Sequence, residues 1–180
     1  MTTAPSPTPF GTVTQRGERF DLSFERIYAT SVDDVWDAVT NPERLARWMA
    51  PYRGELRLGG RWEALNSDGS VFSWGTVTAC EPPRTYTSTW DYEGEDTSVV
   101  TITVDEHAEG AALVLRHEHI NDRGYGAGWQ TYLEHLDEAL GLAPSAVIDP
   151  HRVAGIAWDD RYAELEIAWR PLFGAKPAGG

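Results

Sequence analysis

A chain of 180 residues with 41% hydrophobic content is long enough for one domain with a sizeable core and too short to expect two. With 28 acidic against 15 basic residues and a formal net charge of -13, it would repel a phosphate backbone, so nucleic acid is excluded as the expected partner. Cys80 is the single cysteine, which rules out an intramolecular disulfide and a thiolate metal cluster. Its apolar setting in TVTACE, with no cation in view to lower its pKa, reads as a small core residue rather than a nucleophile. The 8 Trp and 7 Tyr are the unusual numbers, because so much aromatic area must line something.

In chain order, the opening MTTAPSPTPFGT has neither a positive stretch nor an apolar run, so it is expected to be no leader or membrane anchor. Its Pro and Thr density predicts a disordered tail over residues 1–18 and a cytoplasmic protein with no membrane insertion. From Arg19 to Thr30, RFDLSFERIYAT alternates apolar and polar, which suits a strand buried on one face. Ser31 then caps a short amphipathic helix, with acids in the first turn and Val32, Val35, Trp36 and Val39 at helical spacing. Asn41-Pro42 restarts the chain as cap and first helical residue of a second short helix, NPERLARWM, which Pro51 ends.

A series of strand signals follows, separated by turn residues: GELRLGGRWEAL, VFSWGTVTAC, TYTSTWDY, SVVTITVDE and AALVLRHEHI. Short loops between them predict an antiparallel meander. At Gly124 the period changes, and Trp129, Tyr132, Leu133, Leu136, Ala139 and Leu140 lie on one face of a long helix that ends at Gly141. The resulting class is α+β, with a curved antiparallel sheet able to wrap the last helix. Beyond Leu142, Asp149-Pro150 reads as a helix start, and Trp158, Tyr162, Leu165 and Trp169 recur at helical spacing. The chain thus divides into a tail over 1–18, a domain over 19–142, and a helical extension with a flexible end over 143–180. The extension's aromatic stripe must be covered, by its own sheet or by a second copy in a homodimer.

The ordered set SVDDVWDAVTNPERLARWMAP, GELRLGGRWEA, WGTVTACEPPRTYTSTW, ALVLRHEHI and GWQTYLEHLDEAL resembles the heat-shock-protein-90 ATPase activator homologue family, within the START-like (SRPBCC, Bet v 1-type) superfamily. The similarity runs colinearly over residues 20 to 142. It implies a helix-grip fold, six or seven antiparallel strands gripping a long C-terminal helix, with a cavity between them that often holds a small apolar molecule. If the second short helix closes one end of that cavity, Trp48 and Met49 form its lid; the plainer alternative is that Trp48 is only a hydrophobic plug.

Alternation assigns the inward groups. Trp62 follows the Gly59-Gly60 bend; Phe72, Trp74 and Thr76 form one row, Tyr86, Ser88, Trp90 and Tyr92 another, and Leu113, Leu115, His117 and His119 a third. With Trp129 and Tyr132 from the long helix, the expected ligand-binding set is Trp48, Met49, Trp62, Phe72, Trp74, Trp90, Tyr92, His117, His119, Trp129 and Tyr132. Two inward histidines could be a metal pair, a general base with its orienter, or buried groups bonded to Tyr or Ser across the sheet. No further ligand spacing stands beside them, so no metal and no cofactor are expected. Glu134 and His135 read as a solvated helix flank, and Asp91, Glu93, Glu95 and Asp96 as a solubilising hairpin.

Three functions follow, in this order. The first is a binding protein for a small apolar or aromatic molecule. The second is an enzyme of the polyketide cyclase or aromatase kind, in which His117 or His119 moves a proton. The third, a chaperone partner, comes from the resemblance alone; eukaryotic members carry an additional N-terminal domain, which is not expected here because the residues ahead of Arg19 read as a disordered tail.

Overall fold

The computed structural model describes residues 11–121 and 124–173. Its strands are β1 (Thr12–Arg16), β2 (Arg19–Tyr28), β3 (Tyr52–Gly54), β4 (Arg61–Leu65), β5 (Val71–Glu81), β6 (Thr85–Trp90), β7 (Ser98–His107) and β8 (Gly110–Ile120). Helices α1 (Val32–Thr40) and α2 (Pro42–Trp48) interrupt the sheet after β2, and α3 (Gly124–Leu140) and α4 (Trp158–Trp169) follow it, α4 running into a 3₁₀ turn over Arg170–Phe173. All eight strands belong to one antiparallel sheet in the order β1-β2-β8-β7-β6-β5-β4-β3, so the long helix is gripped as expected. Eight strands exceed the expected six or seven because the edges carry two short pieces, β1 and β3. β1 replaces the tail expected over 11–18: it forms a hairpin with β2 in which Val13 pairs with Leu22. Residues 1–10 lie outside the described residues.

Local chemistry places the helices. Ser31 accepts a hydrogen bond from the Asp34 amide at 3.2 Å, and Asn41 from the Glu43 amide at 3.0 Å; each such cap is worth about 1 kcal/mol. Pro42 occupies the first turn of α2, where no amide hydrogen is needed. Pairing across the two helices comes from Arg44, which bridges Asp34 and Asp37 of α1.

Three bulges bend the sheet and change which side chains face inward. Ala64 pairs with Ser73 but Leu65 with Val71, leaving Phe72 as an extra residue in β5. Val77 pairs with Ser88 but Ala79 with Thr87, leaving Thr78 extra. On β8, Leu22 faces His117 and Phe20 faces Ile120, so Glu118 and His119 together oppose Asp21. His119 takes φ 66° to accommodate this, its amide bonded to Asp21 Oδ1 at 3.1 Å and its carbonyl to Arg19.

The extension packs on its own chain. Leu165 and Trp169 of α4 are buried, and Trp169 lies against Phe24 at 5.5 Å while Phe173 meets Phe20 edge-on at 5.1 Å. The Leu165 and Trp169 end of the aromatic stripe is thus covered by the chain's own sheet, while Trp158 and Tyr162 stay half-buried. Asp149 does not start a helix: it caps a turn at His151 and pairs with Arg161, and α4 begins only at Trp158. Glu134, read from sequence as solvated, is buried because α4 covers that flank of α3; Arg161 grips it through Nε and Nη2 at 2.8 and 2.6 Å. A second buried cluster lies one turn on, where Asp137 receives Tyr28 Oη at 2.8 Å and pairs with Arg26 and Arg152. Burial raises the Asp137 carboxyl above its ordinary pKa, an effect its two arginines oppose.

Candidate functional site

Aromatic rings from the sheet and both C-terminal helices meet in one continuous chain. Tyr52 touches Trp62 at 5.3 Å between centroids, Trp62 touches Trp90 at 5.2 Å, and Trp90 touches Trp129 at 5.4 Å. From Trp129 the chain passes to Tyr132 at 6.2 Å, to Trp158 at 5.3 Å, and to Tyr162, which stacks on Trp158 at 5.1 Å and 10°. Such pairs add about 0.5–1.5 kcal/mol each beyond area burial, so the row is a rigid wall rather than a loose lining.

The two ends of this row differ. Beneath α2, around Trp48, Trp62, Tyr86 and Ile102, the remaining space is about 20 Å³, room for one water. Polar tips there are satisfied: Trp48 Nε1 donates to the Ala38 carbonyl at 2.9 Å, Trp62 Nε1 to Ser88 Oγ at 2.8 Å, and Tyr86 Oη to the Val39 carbonyl at 3.2 Å. Trp48 is thus the plug that ties α2 to α1, and not a lid over open space. Toward α4 the row borders a cleft of about 530 Å³, within the range of small-molecule sites. Met49 reaches this cleft, with its sulfur accepting from Tyr52 Oη at 3.2 Å.

His117 sits behind the cleft, fully buried, with both ring nitrogens engaged. Trp129 Nε1, which can only donate, gives its hydrogen to Nδ1 at 2.9 Å. Nε2 therefore carries the proton and donates to Ser98 Oγ at 2.7 Å, and Ser98 passes its own hydrogen to the Trp90 carbonyl at 3.2 Å. Burial lowers the His117 pKa to about 3, so the ring is neutral near pH 7.

The polar groups of the cleft come from elsewhere. Trp90 Nε1 donates to Tyr125 Oη at 3.2 Å, and Tyr125 Oη donates to a Glu95 carboxylate oxygen at 2.5 Å. Tyr125 packs its ring edge on His117 at 4.6 Å, so one side of α3's first turn is fixed by the sheet. Asn66, Asp159 and Tyr162 complete the polar rim, and Tyr132, whose hydroxyl burial pushes up to about 12, stays protonated.

Of the residues expected from sequence, Met49, Phe72, Trp90, Tyr92, Trp129 and Tyr132 border the cleft. Trp48 and Trp62 lie in the packed region below it. Trp74 and His119 are corrections. Alternation put both inward, but the bulge at Phe72 leaves Trp74 on the outer face, 36% exposed, and the bulge at Glu118 and His119 turns His119 outward while Ile120 takes the buried place. Sequence reasoning passed over Tyr125, Glu95, Asn66, Trp158, Asp159 and Tyr162 as cleft residues. Trp158 and Tyr162 do carry a signal, a four-residue spacing on an aromatic stripe, but that spacing marks a surface to be covered and does not mark a cleft. Glu95 sat in a charged hairpin with nothing to set it apart from Asp91, Glu93 and Asp96.

Among the described residues, no group of three or more His, Cys, Asp or Glu side chains is arranged to hold a metal ion. No described helix is long and apolar enough to cross a membrane.

Comparison with solved structures supports the same architecture. CalU16 from Micromonospora echinospora superposes with a TM-score of 0.69 at 26% identity, over 91% of this chain and 96% of its own. Since 91% of 180 residues is about 164, that superposition extends past Leu142 into the C-terminal segment. MLL2253 from Mesorhizobium loti, at 26% identity and a TM-score of 0.60, covers 66% of this chain and 94% of its own. PFC0360w, an HSP90 activator from Plasmodium falciparum, shares the fold at 21% identity and a TM-score of 0.58, over 68% of this chain and 96% of its own. No curated protein sequence matches the chain. The sequence model of the Activator of Hsp90 ATPase homolog 1-like proteins matches residues 29–141, from the residue after β2 to the residue after α3. The chain belongs to the Activator of Hsp90 ATPase homolog 1-like family.

Proposed function

We propose that this protein binds a small, flat apolar or aromatic molecule in the cleft between α3, α4 and the β6–β7 hairpin. The observation that carries this reading is the pairing of a packed interior of about 20 Å³ with an open cleft of about 530 Å³ along the same aromatic row. The rigid rings below give the cleft a preformed floor, so little ordering cost opposes binding. Its ring faces supply apolar area, and Tyr125, Glu95 and Asn66 supply a few fixed polar anchors.

A cyclase-like reaction driven by a cavity histidine is less well supported. His117 is neutral and has no open nitrogen, and His119 is on the outer face. Binding is tested by titrating a neutral three-ring aromatic alcohol, such as anthracenemethanol, and following quenching of tryptophan fluorescence. Saturation at one molecule per chain, with Kd below about 100 μM and a tenfold or larger loss in Trp158→Ala, is expected. Absence of saturable quenching would overturn the reading.

A further inference from the structure

Two neighbouring glycines of α3 are there for different reasons. An added Cβ at Gly126 would lie 2.3 Å from the Trp169 ring, so the packing of α4 on α3 leaves no room for a side chain. At Gly128 the same atom would meet only Tyr162 Cε2, at 3.9 Å, among the described residues, which is ordinary van der Waals contact. The backbone at Gly128 is helical, well inside α3 (Gly124–Leu140), so no left-handed turn calls for glycine either. Glycine in a helix interior weakens the helix relative to alanine. Gly128 therefore destabilises α3 with no compensation in packing or backbone geometry, and local rules broken in that way concentrate at functional sites. Its position fits: Gly128 lines the cleft, and Tyr162, the ring it faces, is the last in the row that starts at Tyr52.

Resting on the binding function above, we propose that Gly128 sets the size of the ligand: its bare backbone keeps the Tyr162 end of the cleft open, so that the site takes planar molecules of several fused rings in preference to single-ring ones. A Cβ at this position already stands in contact with Tyr162, so any longer side chain takes its room from the end of the cleft that the two residues share. The apolar area a ligand buries grows with its ring number. A fused-ring body therefore depends on the full length of the cleft, whereas a single ring is held by one part of it. The volume of about 530 Å³ is that of a site for the larger kind.

Two neutral alcohols of different size separate the roles: anthracenemethanol with three rings and benzyl alcohol with one, each titrated into the full chain and followed by the tryptophan indole proton shifts. Wild type is expected to bind the three-ring alcohol at least tenfold more tightly than the single-ring one. Gly128→Leu is expected to weaken the three-ring alcohol about tenfold and to leave benzyl alcohol within about twofold of wild type. Gly128→Ala is expected to weaken the three-ring alcohol about two- to threefold while raising the urea midpoint, because the helix gains and no neighbour has to move. This opposition of affinity and stability is what a merely structural glycine would not give, and Gly128→Ala decides the matter if the leucine variant does not fold. A lower urea midpoint in Gly128→Ala, unchanged affinity for the three-ring alcohol in the variants, or an equal loss for both alcohols would overturn the role of Gly128 and leave the binding function standing. If neither alcohol binds wild type, both readings fall.

Discussion

Trp129 and His117 are locked together by a 2.9 Å hydrogen bond from the indole nitrogen to Nδ1, which makes the histidine a neutral, Nε2-protonated structural group. The consequence is a pH dependence of stability. Its folded pKa, about 3, lies below the unfolded value near 6.5, so the unfolded chain binds the extra proton. Stability from this group is complete above pH ~6.5 and falls by about 1.4 kcal/mol per pH unit below it, until pH ~3. Urea unfolding of wild type and His117→Asn between pH 7.5 and 4.5 measures it. The variant is expected to be less stable at pH 7.5 and to have a shallower decline with acid; parallel curves would refute the assignment.

His119 makes the opposite forecast. Held at φ 66° in the β8 bulge, it occupies a region that costs a residue with a Cβ about 1–2 kcal/mol. His119→Gly is expected to stabilise the protein by up to about 1 kcal/mol, and His119→Val to destabilise it by about 1–2 kcal/mol. Neither should change ligand affinity. Denaturant midpoints and the fluorescence titration read the two quantities separately.

Arg161 ties α4 to α3 through Glu134 and to the intervening segment through Asp149, with all three side chains buried. Removing the cation strands two buried carboxylates, so Arg161→Met is expected to cost about 3–5 kcal/mol. Adding Glu134→Leu should recover part of that loss. Non-additivity in the double-mutant cycle is the measurement, and simple additivity would contradict the network.

At Gly126 two effects compete. Helix propensity favours alanine by about 1 kcal/mol, but an added Cβ would lie 2.3 Å from the Trp169 ring. Trp169 is also held by a 2.8 Å bond from Nε1 to Gln130 Oε1, so it cannot yield without leaving that amide behind. The clash wins: Gly126→Ala is expected to destabilise by about 1–3 kcal/mol and to speed amide exchange in α4 more than in β7. Unchanged exchange in α4 would show that the helix has another hold.

Much of the architecture is legible in particular residues. Ser31 and Asn41-Pro42 announce α1 and α2, the change of period at Gly124 announces α3, and the alternation in TYTSTW places Tyr86, Ser88 and Trp90 inward as observed. The same rule fails for Trp74 and His119, because an extra residue in one strand reverses every later side chain and leaves no mark in the local pattern. It fails for β1 because a short edge strand with one apolar residue, Val13, owes its existence to pairing with β2.

By itself the sequence determined the α+β class, the order of the helices and meander, and an aromatic wall, since capping and periodicity act between near neighbours. Tertiary structure alone decided that the space beneath α2 is filled, that Glu134 is buried, and that Tyr125, Glu95, Trp158 and Asp159 meet in one cleft. Those outcomes depend on α4 folding back across α3, a contact between segments more than twenty residues apart whose energy comes from burial and ion pairing and not from any local signal.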